Sequence, residues 1–159
     1  MSSNTPNTPM EIERKFLIDT QKMPIEQILT YPHHVMEQAY LCTAPVVRIR
    51  REDDTYYLTY KNGPKLAHTE YNLPLDRASY EHLLAKADGH IIRKTRYLIP
   101  LEYGLTCELD IFAGDYEGLV FAEVEFPSLK AAEAFEKPDW LTEDVTMDEH
   151  YSNSYLSKH

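Results

Sequence analysis

Along most of the chain apolar and polar side chains alternate with a period of two, which predicts strands with one apolar and one polar face. In Met10 to Ile18, Glu11, Glu13 and Lys15 project together, while Ile12, Phe16 and Ile18 project oppositely. The split recurs over residues 37–43, with Gln38, Tyr40 and Cys42 on one face. Two further segments, Val46 to Arg51 and Thr55 to Lys61, flank the polar turn Glu52-Asp53-Asp54 and read as a hairpin. Arg48 and Arg50 oppose Val47 and Ile49 in the first, and Tyr57, Thr59 and Lys61 oppose Leu58 and Tyr60 in the second. After the turn signal Asn62-Gly63-Pro64, Thr69 to Leu73 sets Glu70 and Asn72 against Tyr71 and Leu73. Residues 91–99 then align Lys94 with Arg96, residues 106–112 align Glu108 with Asp110, and residues 119–126 align Glu123 with Glu125.

Helical spacing is confined to short stretches. Pro24 opens a segment carrying Ile25, Ile28 and Leu29; Asp76 caps a helix to about Asp88, with Gly89 as a stop. Ser128 caps a small helix with Ala131, Ala132 and Phe135, and a last helix is predicted from Asp148, with Tyr151, Tyr155 and Leu156 at helical spacing. Trp140-Leu141 reads as an anchoring pair. These helices have apolar faces to bury, and the apolar face of the sheet is the natural partner.

The signs of the charges change the picture. Glu11/Glu13, Glu108/Asp110 and Glu123/Glu125 pair acid with acid, whereas Arg48/Arg50 and Lys94/Arg96 pair base with base. At an effective dielectric of about 20, two carboxylates about 4 Å apart repel by roughly 4 kcal/mol. Solvated strands usually mix signs, because like neighbours destabilise. An antiparallel sheet with its charged face in solvent is one reading; a closed sheet with that face inside is the other. An eight-stranded barrel has room for side chains or one small ligand, and a charged interior must hold complementary charge. Carboxylates take Mg²⁺ or Mn²⁺, and Arg and Lys take phosphate oxygens. A tunnel lined by both describes a metal-complexed chain of phosphates and chemistry at phosphorus.

Composition narrows the classes. A chain of 159 residues is most simply one domain, here residues 10–159, preceded by a tail, residues 1–9, that reads as disordered and lacks the pattern of a secretory signal. The formal net charge of −10 argues against nucleic-acid and membrane-surface partners. No apolar run is long enough to span a bilayer. Cys42 and Cys107 read as reduced core thiols of a cytoplasmic protein. The seven histidines, His68 included, show no ligand spacing, and the acids at 143, 144, 148 and 149 read as a solvated face.

Taken in order, Glu11-x-Glu13-x-Lys15, Arg48-x-Arg50, Lys94-x-Arg96, Glu108-x-Asp110 and Glu123-x-Glu125 resemble the CYTH superfamily, the triphosphate tunnel metalloenzymes, over about residues 10–157. Met-Glu-Ile-Glu-Arg-Lys-Phe-Leu, Gln-Ala-Tyr-Leu, Lys-Thr-Arg-Tyr and Glu-Leu-Asp-Ile-Phe are similar to its compact bacterial members. The resemblance implies an α+β fold, an eight-stranded antiparallel tunnel with helices packed outside. It implies that Lys15, Arg48, Arg50, Lys61, Lys94 and Arg96 hold phosphate. It also implies that carboxylates among Glu11, Glu13, Glu70, Glu108, Asp110, Glu123 and Glu125 hold Mg²⁺ or Mn²⁺, two ions with substrate. Lys15, with Tyr40 near it, is the candidate for catalysis. Asn72 departs from the family, where a second acid commonly follows the one matched by Glu70. The implied activity is metal-dependent hydrolysis of inorganic tripolyphosphate. Class IV adenylyl cyclase, thiamine triphosphatase and a non-catalytic polyphosphate or nucleotide binder are the alternatives, and a homodimer is left open.

Overall fold

The computed structural model describes residues 10–64 and 67–159; the first nine residues, expected to form a disordered tail, lie outside the described residues. Nine strands run through the described chain: β1 Met10–Ile18, β2 His33–Thr43, β3 Val46–Glu52, β4 Thr55–Asn62, β5 Ala67–Leu75, β6 Ile92–Pro100, β7 Thr106–Ala113, β8 Val120–Glu125 and β9 Leu141–Asp144. All pairings are antiparallel, in the order β5-β4-β3-β2-β6-β7-β8-β1-β9, and β5 also pairs with β1. That last pairing closes eight strands into the expected barrel. It spans only Met10 to Ile12 against Ala67 to Thr69, and beyond it β9 takes the same edge of β1 from Phe16 to Ile18. The four-residue β9 was not foreseen, because so short a segment carries no measurable alternation.

Alternation along each strand sends the charged set inward and the apolar set outward. Outside, Phe16, Leu109, Ala122, Val124 and Phe126 pack with Ile28 of helix α1 (Ile25–Ile28), Ala132 of helix α3 (Leu129–Ala134) and the pair Trp140-Leu141. The anchoring role expected of Trp140 is thus met in a core, away from the tunnel. A second outer cluster joins Ala39 and Ile49 to Tyr80 of helix α2 (Arg77–Leu84). The Asp76 side chain caps α2 through Ser79 N, and Ser128 caps α3 through Ala131 N. α2 ends four residues before the expected Asp88, as turn-type hydrogen bonds from Lys86 and Ala87 close it. β2 begins four residues earlier than its alternation indicates; His33-His34 obscures the pattern, but the strand pairs with Tyr97 and Arg96.

A third cluster lies inside the barrel. Tyr40, Ile92, Phe112, Tyr116 and Phe121 pack together, with Tyr151 and Leu156 against them. The C-terminal segment therefore abuts the tunnel instead of the outer face. A 3₁₀ turn over Glu149–Tyr151 leads into helix α4, Asn153–Lys158. The segment is tied down by His90 N donating to Ser157 O and the Tyr116 hydroxyl donating to Leu156 O. Among the described residues no helix is long and apolar enough to cross a membrane.

Candidate active site

The strand order arranges the inward side chains by sign. Around the barrel, β3 contributes Arg48 and Arg50, β2 contributes Gln38 and Tyr40, and β6 contributes Lys94 and Arg96; this is a basic wall. β7 supplies Glu108 and Asp110, β8 supplies Glu123, β1 supplies Glu11, Glu13 and Lys15, and β5 supplies His68 and Glu70; this is an acidic wall. β4 closes the circle with Tyr57, Thr59 and Lys61. Between the walls is a cavity of about 590 Å³, lined by every residue expected in the site except Lys94, Asp110 and Glu125.

The basic wall is under-compensated near β3. Arg48 and Arg50 are 5% and 6% exposed. Arg48 Nη2 donates to the Thr59 hydroxyl at 3.2 Å, while Arg50 donates from Nε to Gln38 Oε1 at 2.8 Å and from Nη1 to the Tyr57 hydroxyl at 3.3 Å. These partners are all neutral. Burial, reinforced by Arg48 and Arg96, lowers the pKa of Arg50. Arg48 Nε and Gln38 Nε2 are buried without a hydrogen-bond partner among the described residues. Buried guanidinium charge with spare donors calls for a multivalent oxyanion.

The acidic wall shows the reverse deficit. Burial and the nearby Glu123 and Glu11 carboxylates push the Glu13 carboxyl far above the usual range, so it holds a proton at neutral pH. Glu108 is raised by burial, against the offsetting pull of Arg96, and Glu125, whose carboxyl is only partly desolvated, by that partial burial and by Glu11. Glu123 stays ionised because Lys15 and Arg96 outweigh its burial. Carboxyls whose ionisation is disfavoured until positive charge arrives, with oxygen donors facing one cavity, suit a hard divalent cation. Glu11, His68 and Glu70 each place a donor atom within 4.8 Å of the other two.

Between these deficits lies an ion-paired knot, in which the buried Lys94 Nζ has Asp110 as its counter-ion but no well-oriented hydrogen bond among the described residues. Arg96 grips Asp110 with two bonds, Nε to Oδ1 at 2.8 Å and Nη2 to Oδ2 at 2.9 Å, and Lys94 Nζ stands 2.7 Å from the same Oδ2. Asp110 is held well below the usual carboxylate range, since Arg96 and Lys94 overcome its burial. Burial pulls Lys94 down to about 7 in spite of Asp110. Arg96 reaches on to Glu108 at 3.3 Å and Glu123 at 3.5 Å, bridging the two walls.

A tunnel of this topology has known counterparts, and the CYTH domain family model matches residues 9–156. The chain belongs to the CYTH domain family. It is 38% identical over 150 residues to an inorganic triphosphatase of Nitrosomonas europaea, covering 92% of this chain and 96% of that protein. It is 37% identical over 153 residues to an inorganic triphosphatase of Acetivibrio thermocellus, covering 93% of each. The crystal structure of the inorganic triphosphatase NE1496 superposes with a TM-score of 0.66 at 34% identity, covering 94% of this chain and 95% of that one.

Within this CYTH tunnel the expected residues divide by environment. Lys15 lies on the acidic wall, its Nζ donating to the Tyr151 carbonyl at 2.7 Å and facing the Phe121 ring at 5.5 Å. Tyr40 borders the cavity from within the interior aromatic cluster. Lys61 stands 3.3 Å from Glu70 and 3.8 Å from Glu11, already serving as a counter-ion to the acids. Asp110 has both oxygens engaged by cations, so in this arrangement it positions Arg96 and Lys94. Glu125 is exposed, beside Glu13 in the register. Asn72 accepts from the Thr59 hydroxyl at 2.6 Å and donates to Glu70 at 3.3 Å, linking Arg48 to the acidic wall through neutral groups. His68 corrects the sequence reading: it is 5% exposed and its Nε2 meets Glu11 Oε1 at 2.8 Å. Its position two residues before Glu70 on an inward face was the available signal. Asp148 and Glu149 are exposed, as a solvated face requires, and also border the cavity. Asp144 does lie on the outside, paired with Arg14 at 2.8 Å.

Proposed function

We propose that this chain is a metal-dependent inorganic triphosphatase that hydrolyses tripolyphosphate to pyrophosphate and phosphate inside its tunnel. The observation that carries the reading is the pair of buried arginines, Arg48 and Arg50, with only neutral partners, facing a wall of carboxylates that cannot all ionise alone. A chain of phosphates laid along the arginines satisfies the first, and cations between it and the acids satisfy the second. That both relatives are inorganic triphosphatases agrees with this ligand.

Arg48, Arg50 and Arg96 hold non-bridging oxygens, Arg in bidentate fashion, and Lys61 and Lys94 add point charges. Glu11, Glu13, Glu70, Glu108, Asp110, Glu123 and Glu125 form the acidic set for Mg²⁺ or Mn²⁺, two ions with substrate; Glu11, Glu13, Glu70, Glu108 and Glu123 line the cavity and are placed to hold them. Metal held by these carboxylates would neutralise phosphate charge and make a nearby water a better nucleophile. Attack of water on a terminal phosphorus forms one P–O bond and breaks the bridging P–O bond, with pyrophosphate as the leaving group and the water's proton passing to a neighbouring base. Lys15 is placed to order the attacking water or the reacting oxygen, with Tyr40 shaping the same end of the cavity. Trp140, the side chain best suited to stack on an organic ring, is in the outer core away from the cavity, and Tyr40, Phe112 and Phe121 belong to one interior cluster.

The test is side-by-side turnover of tripolyphosphate, ATP and thiamine triphosphate with Mg²⁺ and then Mn²⁺, following phosphate, pyrophosphate and cyclic AMP. Fast phosphate release from tripolyphosphate, with organic triphosphates slow, is expected. Release no greater than that of a Lys15→Ala control would end the enzyme reading, and cyclic AMP with pyrophosphate would replace it by a cyclase.

A further inference from the structure

We propose that His68 is a metal ligand of this tunnel, joining Glu11 and Glu70 in a mixed nitrogen and oxygen site at the β1–β5 seam and biasing the protein toward Mn²⁺ and similar transition ions over Mg²⁺. The inference rests on the metal-dependent reading above and adds an imidazole to a site whose other donors are carboxylates.

The register creates the cluster. Glu11 pairs directly with His68 across the seam, and Glu70 follows two residues later on the same inward face of β5. One donor atom from each residue lies within 4.8 Å of the others. Metal–donor bonds of about 2.0–2.2 Å put adjacent ligands about 3 Å apart and opposite ligands about 4.2 Å apart. Little movement is therefore needed. His68 is buried against the lumen instead of an apolar core, with Nε2 aimed at a carboxylate. Ionised Glu11 can only accept, so Nε2 carries the hydrogen in this arrangement, and ligation through Nε2 uses the other tautomer, with the hydrogen on Nδ1.

A cation already stands at the position. Lys61 Nζ lies between Glu70 and Glu11, at 3.3 and 3.8 Å. Its flexible stem starts on β4, next to β3, with Lys61 opposite Val46 in the register. When a divalent ion takes the two carboxylates, the ammonium is released toward the basic wall, where an anion would lie.

An imidazole nitrogen favours first-row transition ions, Zn²⁺, Fe²⁺ and Ni²⁺ most and Mn²⁺ least, over Mg²⁺, which prefers oxygen donors throughout; Mn²⁺ serves as the paramagnetic probe. The test is spectroscopic and uses no substrate. Mn²⁺ is added to the full-length protein, and pulsed electron paramagnetic resonance reads coupling of the ion to histidine ¹⁴N. Coupling is expected in the wild type and absent in His68→Gln, with Mn²⁺ affinity by calorimetry lowered at least about tenfold and Mg²⁺ affinity lowered less than Mn²⁺ affinity. A wild-type Mn²⁺ complex without histidine nitrogen coupling overturns the proposal even if His68→Gln misfolds. Equal losses of Mn²⁺ and Mg²⁺ affinity in a folded variant overturn the selectivity. Neither outcome bears on tripolyphosphate turnover, which stands or falls by the phosphate-release assay.

Discussion

Replacing Asp110 by Asn tests whether the tunnel is held together by its own charge. The substitution keeps the shape of the side chain and removes the one carboxylate that binds both Arg96 and Lys94, whose side chains are 11% and 0% exposed. Breaking a buried pair by removing one partner typically costs about 3–5 kcal/mol, because the surviving charge is left without compensation. For a domain of this size each kcal/mol shifts Tm by roughly 2–4 °C, so a fall of about 6–20 °C is expected in thermal unfolding followed by circular dichroism. Added tripolyphosphate or sulfate should restore more stability to Asp110→Asn than it gives the wild type, since the anion supplies the missing negative charge. The pH dependence has a fixed sign. A carboxyl whose pKa is depressed by folding stabilises fully above its unfolded value near about 3.9 and loses that contribution as pH falls toward the folded value. The gap between wild type and variant should therefore narrow steadily below about pH 4. A loss under about 1 kcal/mol at neutral pH, with no extra response to anions, would show that water already solvates the two cations and that the knot is not a structural unit.

Removing residues after Asp148 frees Lys15 from the Tyr151 carbonyl and opens that end of the cavity; KM and kcat should change more than Tm, and an unchanged rate would contradict a role at the tunnel mouth. Gly89→Ala places a Cβ against the Ser157 carbonyl at a backbone φ of +89°, so about 1–3 kcal/mol of stability should be lost, with faster amide exchange in α4 as the specific readout. Chelation with EDTA should abolish phosphate release and re-addition of Mg²⁺ or Mn²⁺ restore it. Metal affinity should rise with pH through neutrality, because Glu13 carries a proton that the ion must displace; a flat calorimetric profile would exclude Glu13 as a ligand.

The barrel was legible because alternation and sign could be read together on one strand at a time. Arg48 with Arg50 and Glu123 with Glu125 each announce an inward face whether or not the neighbouring strand is known. The closure was inferable only from the demand that like charges be compensated, since nothing in the residues of β5 names β1 as a partner. The division of labour within the charged set was not legible. Asp110 and Glu13 look alike in sequence, yet one is held ionised by two cations and the other is kept protonated by burial beside two acids, and strand order is what separates their neighbours. His68 was passed over for the same reason, because its partner is 57 residues away and the spacing that matters is across the seam.

That separation by strand order has a thermodynamic consequence. If basic and acidic strands alternated around the barrel, each charge would find a neighbour and the empty tunnel would be its own best ligand. Here the basic strands β3 and β6 flank β2 while β7, β8, β1 and β5 run consecutively acidic, so complete internal pairing is possible only at the border, where Arg96 meets Asp110, Glu108 and Glu123, and where Lys61 meets Glu11 and Glu70. Away from the borders the arginines lack anions, and the acids outnumber the one lysine among them, Lys15. An anion bound alone relieves one wall and leaves the other, and a metal bound alone does the converse. Bound together they also neutralise each other, so each should tighten the other by the same factor, and couplings of this kind run to about 1–3 kcal/mol. A tunnel built this way favours an anion that brings its own divalent cation, and it discriminates against a phosphate chain or a metal ion arriving alone.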